Sequence, residues 1–143
     1  MRDVIEVEVE EVKSDFMELN TWKVSHQLML DVYSFCKLLP GDEKYGRISQ
    51  IKRSSASVPA NIAEGYGRYY YLENVQFCRK ARGSLYETKN HLVAVGDLKQ
   101  APKDECNRLI KDCDKVRRLL NGYIRYLLKT KAGSENYPST PTL

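Results

Sequence analysis

Residues 71–98 read YLENVQFCRKARGSLYETKNHLVAVGDL, and the spacing of their apolar members decides the fold. Cys78, Ala81, Leu85, Thr88, Leu92 and Val95 recur at steps of three and four, which gathers them on one side of an α-helix. Phe77, Ser84, His91 and Leu98 form a second row beside the first. A helix with two adjacent semi-apolar rows can pack inside its own bundle and against another subunit as well. Gly83 sits in mid-helix, where it costs about 1 kcal/mol relative to alanine. A close approach by another helix at Gly83 is the expected compensation.

The same periodicity recurs on both sides of this stretch. Downstream, Pro102 opens a helix whose first turn carries Asp104 and Glu105, at the end where the backbone dipole favours acids. It turns Leu109, Cys113, Val116, Leu120, Tyr123 and Leu127 inward and runs to about Lys129. Upstream, a helix from about Tyr45 to Glu64 places Ile48, Ile51, Ser55, Val58 and Ile62 on one face. It contains Pro59, which removes an amide and presses on the Ser55 carbonyl, so a kink is expected. Gly65 and Gly67 bracket its end, leaving Tyr66 and Arg68 exposed at the corner. The first helix spans about Thr21 to Leu39, with Asn20 or Thr21 as cap, and stops at Pro40-Gly41. Short connections predict an all-α, antiparallel, up-down-up-down four-helix bundle over residues 18–130. Residues 1–17 read as an acidic arm, extended in preference to a fifth helix, and residues 131–143 as a flexible tail.

With 143 residues the chain is one domain's worth, 42% hydrophobic and 29% charged. No apolar run approaches the roughly 18–20 residues of a membrane-spanning helix, and the acidic N-terminus is unlike a secretory signal, so a cytoplasmic protein is expected. Cys36, Cys78, Cys106 and Cys113 form no CxxC pair and read as small buried hydrophobes, with no metal site. The net charge of +4 hides an asymmetry: residues 1–18 hold seven acids and two bases, a balance of −5, which leaves +9 on the rest. Such a body attracts polyanions or acidic protein surfaces. The acidic arm could lie over a basic surface of its own or a neighbouring subunit.

The strongest candidate site is on the fourth helix. Arg108, Lys111, Lys115, Arg118, Arg125 and Lys129 fall within about 100° of helix circumference in a row roughly 30 Å long, opposite the apolar stripe. Such a row can follow a phosphate backbone. On the third helix Arg79, Arg82 and Lys89 line up with Tyr86 as further nucleic-acid candidates. At the preceding corner Tyr69, Tyr70 and Tyr71 stand beside Arg68. Tyrosines next to arginines either stack single-stranded bases or form a protein-interface hot spot, and the second reading is preferred.

The run from Arg53 to Arg68, RSSASVPANIAEGYGR, followed by Phe77, Ala81-Arg82-Gly83-Ser84-Leu85 and Glu87, closely resembles the four-helix-bundle proteins encoded in bacterial 23S rRNA intervening sequences. The resemblance extends from about Leu19 to Gly122. It implies a four-helix bundle, ring-like homo-oligomers with pentamers expected, and kinship with the accessory proteins of diversity-generating retroelements, which work beside a reverse transcriptase. The chain departs from the family pattern in its acidic first 17 residues, in Tyr69-Tyr70-Tyr71 and in its tail. Within the shared string, Arg53, Pro59, Asn61, Glu64 and Arg68 are expected to be structural: Asn61 bonding the helix backbone near the proline, Glu64 pairing with Arg53 or Arg68.

An enzyme is not expected. His26 and His91 are the only histidines, Glu87 precedes His91 by four where a bundle di-iron site needs three, and no phosphate loop or activated nucleophile appears. No cofactor is expected either. Two functional classes remain: a homo-oligomer that binds nucleic acid, RNA in preference to DNA, and an accessory protein that docks on a partner such as a reverse transcriptase.

Overall fold

The computed structural model describes residues 15–133; the readings of an acidic arm over residues 1–14 and a tail over residues 134–143 lie outside them. Four helices carry the fold: α1 (Asn20–Phe35), α2 (Arg47–Gly67), α3 (Tyr71–Asp97) and α4 (Lys103–Thr130). Each packs on its sequence neighbours and α4 closes back on α1, an antiparallel ring of four around one core. No strand occurs among the described residues. Nor is any described helix long and apolar enough to cross a membrane.

The inward rows are those that the periodicity predicts. Leu28, Val32 and Phe35 of α1, Ile51, Val58 and Ile62 of α2, and Cys78, Ala81, Leu85, Leu92 and Val95 of α3 are all buried. On α4 the stripe is Cys106, Leu109, Cys113, Val116, Leu120, Ile124 and Leu127. Ile124, not Tyr123, therefore fills the sixth position. Tyr123 is displaced to the edge because its hydroxyl needs a polar partner, which it finds by accepting from Asn74 Nδ2 at 3.3 Å.

Helix ends differ from the sequence reading for local reasons. The α1 start has no side-chain cap. A 3₁₀ turn, Phe16–Glu18, precedes it instead, capped by Asp15 Oδ1 accepting from the Met17 amide at 3.1 Å. Phe16 packs edge-on to Trp22, which stacks on His26 at 4.6 Å between ring centroids. Residues 15–17 thus belong to the bundle and not to the arm. At the other terminus Ala132 packs on the core. A Cβ on Gly133 would collide with the Tyr69 carbonyl oxygen, so residues 131–133 are docked as well. The α1 exit tightens into a 3₁₀ turn, Cys36–Leu38, ahead of Pro40.

α2 runs unbroken through the buried Pro59 and past Gly65. At Gly65 the α2 and α3 backbones meet closely. A Cβ there would sit 2.7 Å from Asn74 Oδ1, 2.9 Å from Phe77 Cβ and 3.0 Å from the Asn74 carbonyl. The expected approach at Gly83 is not found within the chain: Gly83 is exposed, and a methyl group added there would meet nothing within 4 Å. Small residues extend the tight α2–α3 seam. Buried Ser54 and Thr88 share a hydroxyl–hydroxyl bond of 2.8 Å, and Ser84 Oγ donates to Ser57 Oγ at 2.9 Å. Of the second row of α3, Phe77, Ser84 and His91 therefore turn toward α2 and are half-buried, while Leu98 at its end is exposed.

Burial pushes the thiols of Cys78 and Cys113 from their ordinary 9.0 up to about 12, and the Tyr123 phenol from 10.0 to about 12. Between pH 9 and 12 the unfolded chain releases these protons while the folded chain keeps them. Fewer protons on the unfolded state make stability fall as pH rises. Thermal denaturation is expected to show a Tm flat near neutrality and dropping steadily above pH 9. A thiol reagent at pH 8 should label Cys78 and Cys113 only after unfolding.

Candidate nucleic-acid interface

The outward face of α4 is built by the same periodicity that builds its core stripe. Because the buried residues occupy one side of a 28-residue helix, the residues half a turn away face solvent. Arg108, Lys111, Lys115, Arg118, Arg125 and Lys129 line this outward side, and all six are exposed. They are not equivalent. Arg108 donates to Glu105 Oε2 at 3.0 Å and lies 3.9 Å from Asp112, so its charge is already answered, and the Glu105 bond foremost raises its pKa. Lys111, Lys115, Arg118, Arg125 and Lys129 have no ion pair among the described residues. Asp31 and Asp112 line the shallow groove beside Lys115 without pairing with it.

The three cations of α3 separate. Arg79 is exposed and unpaired among the described residues. Arg82 donates to Asn121 Oδ1 at 2.8 Å, and Lys89 pairs with Asp114 at 2.8 Å with its side chain 34% exposed. Both tie α3 to α4, and their charges sit in the seam.

Among the residues of the shared string, Asn61 Nδ2 donates to the Ser57 carbonyl at 2.8 Å and to Ser57 Oγ at 2.9 Å, the backbone role expected of it. Arg53 does not pair with Glu64. It bonds Glu87 on α3 and Gln50 on its own helix. Arg68 lies over the Phe77 ring at 5.0 Å, and Glu64 is exposed without an ion pair among the described residues. The reason is direction: Arg53 is on the α3-facing side of α2, and Glu64 faces out. Sequence reasoning missed the continuation of this contact. Arg47 Nη1 lies 2.7 Å from His91 Nδ1, which must accept, so His91 Nε2 carries the proton and faces Glu87 at 3.4 Å. Arg47, His91, Glu87 and Arg53 form one polar ladder between α2 and α3. Its only sequence signal is the Glu87–His91 spacing of four.

Of the outer strip of α3, sequence reasoning found Arg79, Gly83 and Tyr86 but missed the apolar members Leu72 and Val93. Leu72, Arg79, Gly83, Tyr86 and Val93 share one exposed side, with Tyr86 53% exposed. At the α2–α3 corner Tyr69 is exposed with φ of 65°, while Tyr71 packs against the core and meets Tyr70 edge-on at 5.1 Å.

A four-helix bundle with a cationic helix face places the chain among small basic bundles. The chain belongs to the 23S rRNA-intervening sequence proteins, whose family profile matches residues 17–122. It is similar to a crystal structure from Bacteroides thetaiotaomicron VPI-5482, a protein described as of unknown function and from the S23 ribosomal protein family. The match has a TM-score of 0.68 at 20% identity, covering 73% of this chain and 98% of that one, and it speaks for the fold. No curated protein matches the sequence.

Proposed function

We propose that the chain is a non-enzymatic, homo-oligomeric basic bundle that binds nucleic acid, RNA in preference, along the outer face of α4. The observation that carries the reading is that Lys111, Lys115, Arg118, Arg125 and Lys129 stand on the outer side of one rigid helix with no carboxylate paired to them among the described residues. Cations without partners give up nothing but water and counterions when a phosphate arrives, and released counterions drive the association. The family's tie to 23S rRNA favours RNA as the polyanion. Self-association is assigned to the outer strip of α3. There Leu72, Tyr86 and Val93 share one exposed side of the helix with the open Gly83, and the pentamer implied by the family resemblance is the expected assembly.

Lysine modification tests the site. With a structured RNA bound, Lys111, Lys115 and Lys129 are expected to resist acetylation, while Lys37 and Lys44 react as in free protein. Equal reactivity of the α4 lysines with and without RNA removes the reading. A second reading, an accessory that docks on a partner such as a reverse transcriptase, is favoured by the Tyr86 and Arg79 strip, since interface hot spots are rich in both residue types. Protection that appears only when the partner protein is present supports it.

A further inference from the structure

The seam between α1 and α2 holds a second basic feature. At one end of the seam the Phe16–Glu18 turn packs against both helices. At the other, a groove of about 580 Å³ opens between Leu30, Tyr33, Lys37, Lys44, Ile48 and Lys52. Its floor is apolar, with Leu30 and Tyr33 both exposed. Its rim is cationic, and none of the three lysines is ion-paired among the described residues. Lys52 instead lies 5.1 Å from the Tyr33 ring centroid. The groove asks for an occupant that is apolar and acidic together.

We propose that residues 4–12 of the same chain, VIEVEVEEV, seat in this groove. Ile5, Val7 and Val9, on one face of the extended segment, supply apolar surface for Leu30, Tyr33 and Ile48. Glu6, Glu8, Glu10 and Glu11 supply the charge that Lys37, Lys44 and Lys52 lack. Reach agrees. The 16-residue α1 is about 24 Å long. Seven residues of extended chain, from Asp15 back to Glu8, span about the same distance. The groove beside Lys115 is a poorer host, smaller at about 100 Å³ and already lined by Asp31 and Asp112, which repel an acidic segment. Docking leaves the cationic face of α4 open and does not depend on RNA binding.

Zero-length carbodiimide cross-linking of the full chain, in an equal mixture of ¹⁴N and ¹⁵N protein mapped by mass spectrometry, tests the assignment. Links from Glu6, Glu8, Glu10 or Glu11 to Lys37, Lys44 or Lys52 are expected, each within a single isotope. Their yield should fall about fivefold in Leu30→Ser/Tyr33→Ser, which keeps every lysine but removes the apolar floor. Links to Lys111, Lys115 or Lys129 in their place, mixed-isotope links, or the absence of links to the groove would overturn it. So would an unchanged yield in the double variant.

Discussion

Gly65→Leu is expected to lower the Tm by about 10 °C or more, or to leave the chain unfolded at 37 °C. The collision begins at Cβ, 2.7 Å from Asn74 Oδ1 and 3.0 Å from the Asn74 carbonyl, so no rotamer relieves it and α2 and α3 must separate. Separation strains the Ser54–Thr88 and Ser57–Ser84 bonds that hold the same seam. Overpacking of this kind costs about 3 kcal/mol. Gly83→Ala is the matched control. With nothing within 4 Å, it should raise stability by about 0.5–1 kcal/mol through helix propensity alone. Should Gly83 lie against another copy, the same substitution weakens assembly instead. Calorimetry and size-exclusion chromatography on both variants separate these effects, and a Gly65→Leu protein that melts like wild type would contradict the α2–α3 contact.

The second large effect falls on affinity. Lys115→Glu/Arg118→Glu/Arg125→Glu is expected to weaken RNA binding at about 100 mM salt by more than about 100-fold while leaving helix content and Tm unchanged. The three side chains lie on the outer side of α4 and are unpaired among the described residues, so folding loses little with them. Arg108→Gln, on the same helix, should cost little, because Glu105 and Asp112 already answer that charge. Equal losses from Arg108 and from the triple variant would mean that net charge and not the open row sets the affinity. Fluorescence anisotropy with one labelled RNA measures both.

The bundle was legible because a helix records its burial as a period. The rows Cys78 to Val95 and Leu109 to Leu127 could have only one inside, and the cations of α4 then had only one outside. Contacts that depend on distance between helices leave no such record. Gly65 reads as a helix end and Gly83 as a packing site, whereas the chain uses Gly65 for the close approach and leaves Gly83 open, since helix crossing points follow from three-dimensional geometry. The partners of Arg53 and Lys89, which are Glu87 and Asp114, are 34 and 25 residues away and fixed only once α2, α3 and α4 are side by side. The same distance effect hid the loss of Arg82 and Lys89 from the exposed cationic set.

The central claim, that polyanions bind along the outer face of α4, is tested most directly by the salt dependence of wild-type affinity for a structured RNA. Five unpaired cations engaging phosphates predict a linear plot of log K against log salt with a slope of about −3.5 to −4.5. Reversing three of them should cut that slope to about −2 or less. A slope near zero, or one that the triple variant leaves unchanged, would contradict the claim.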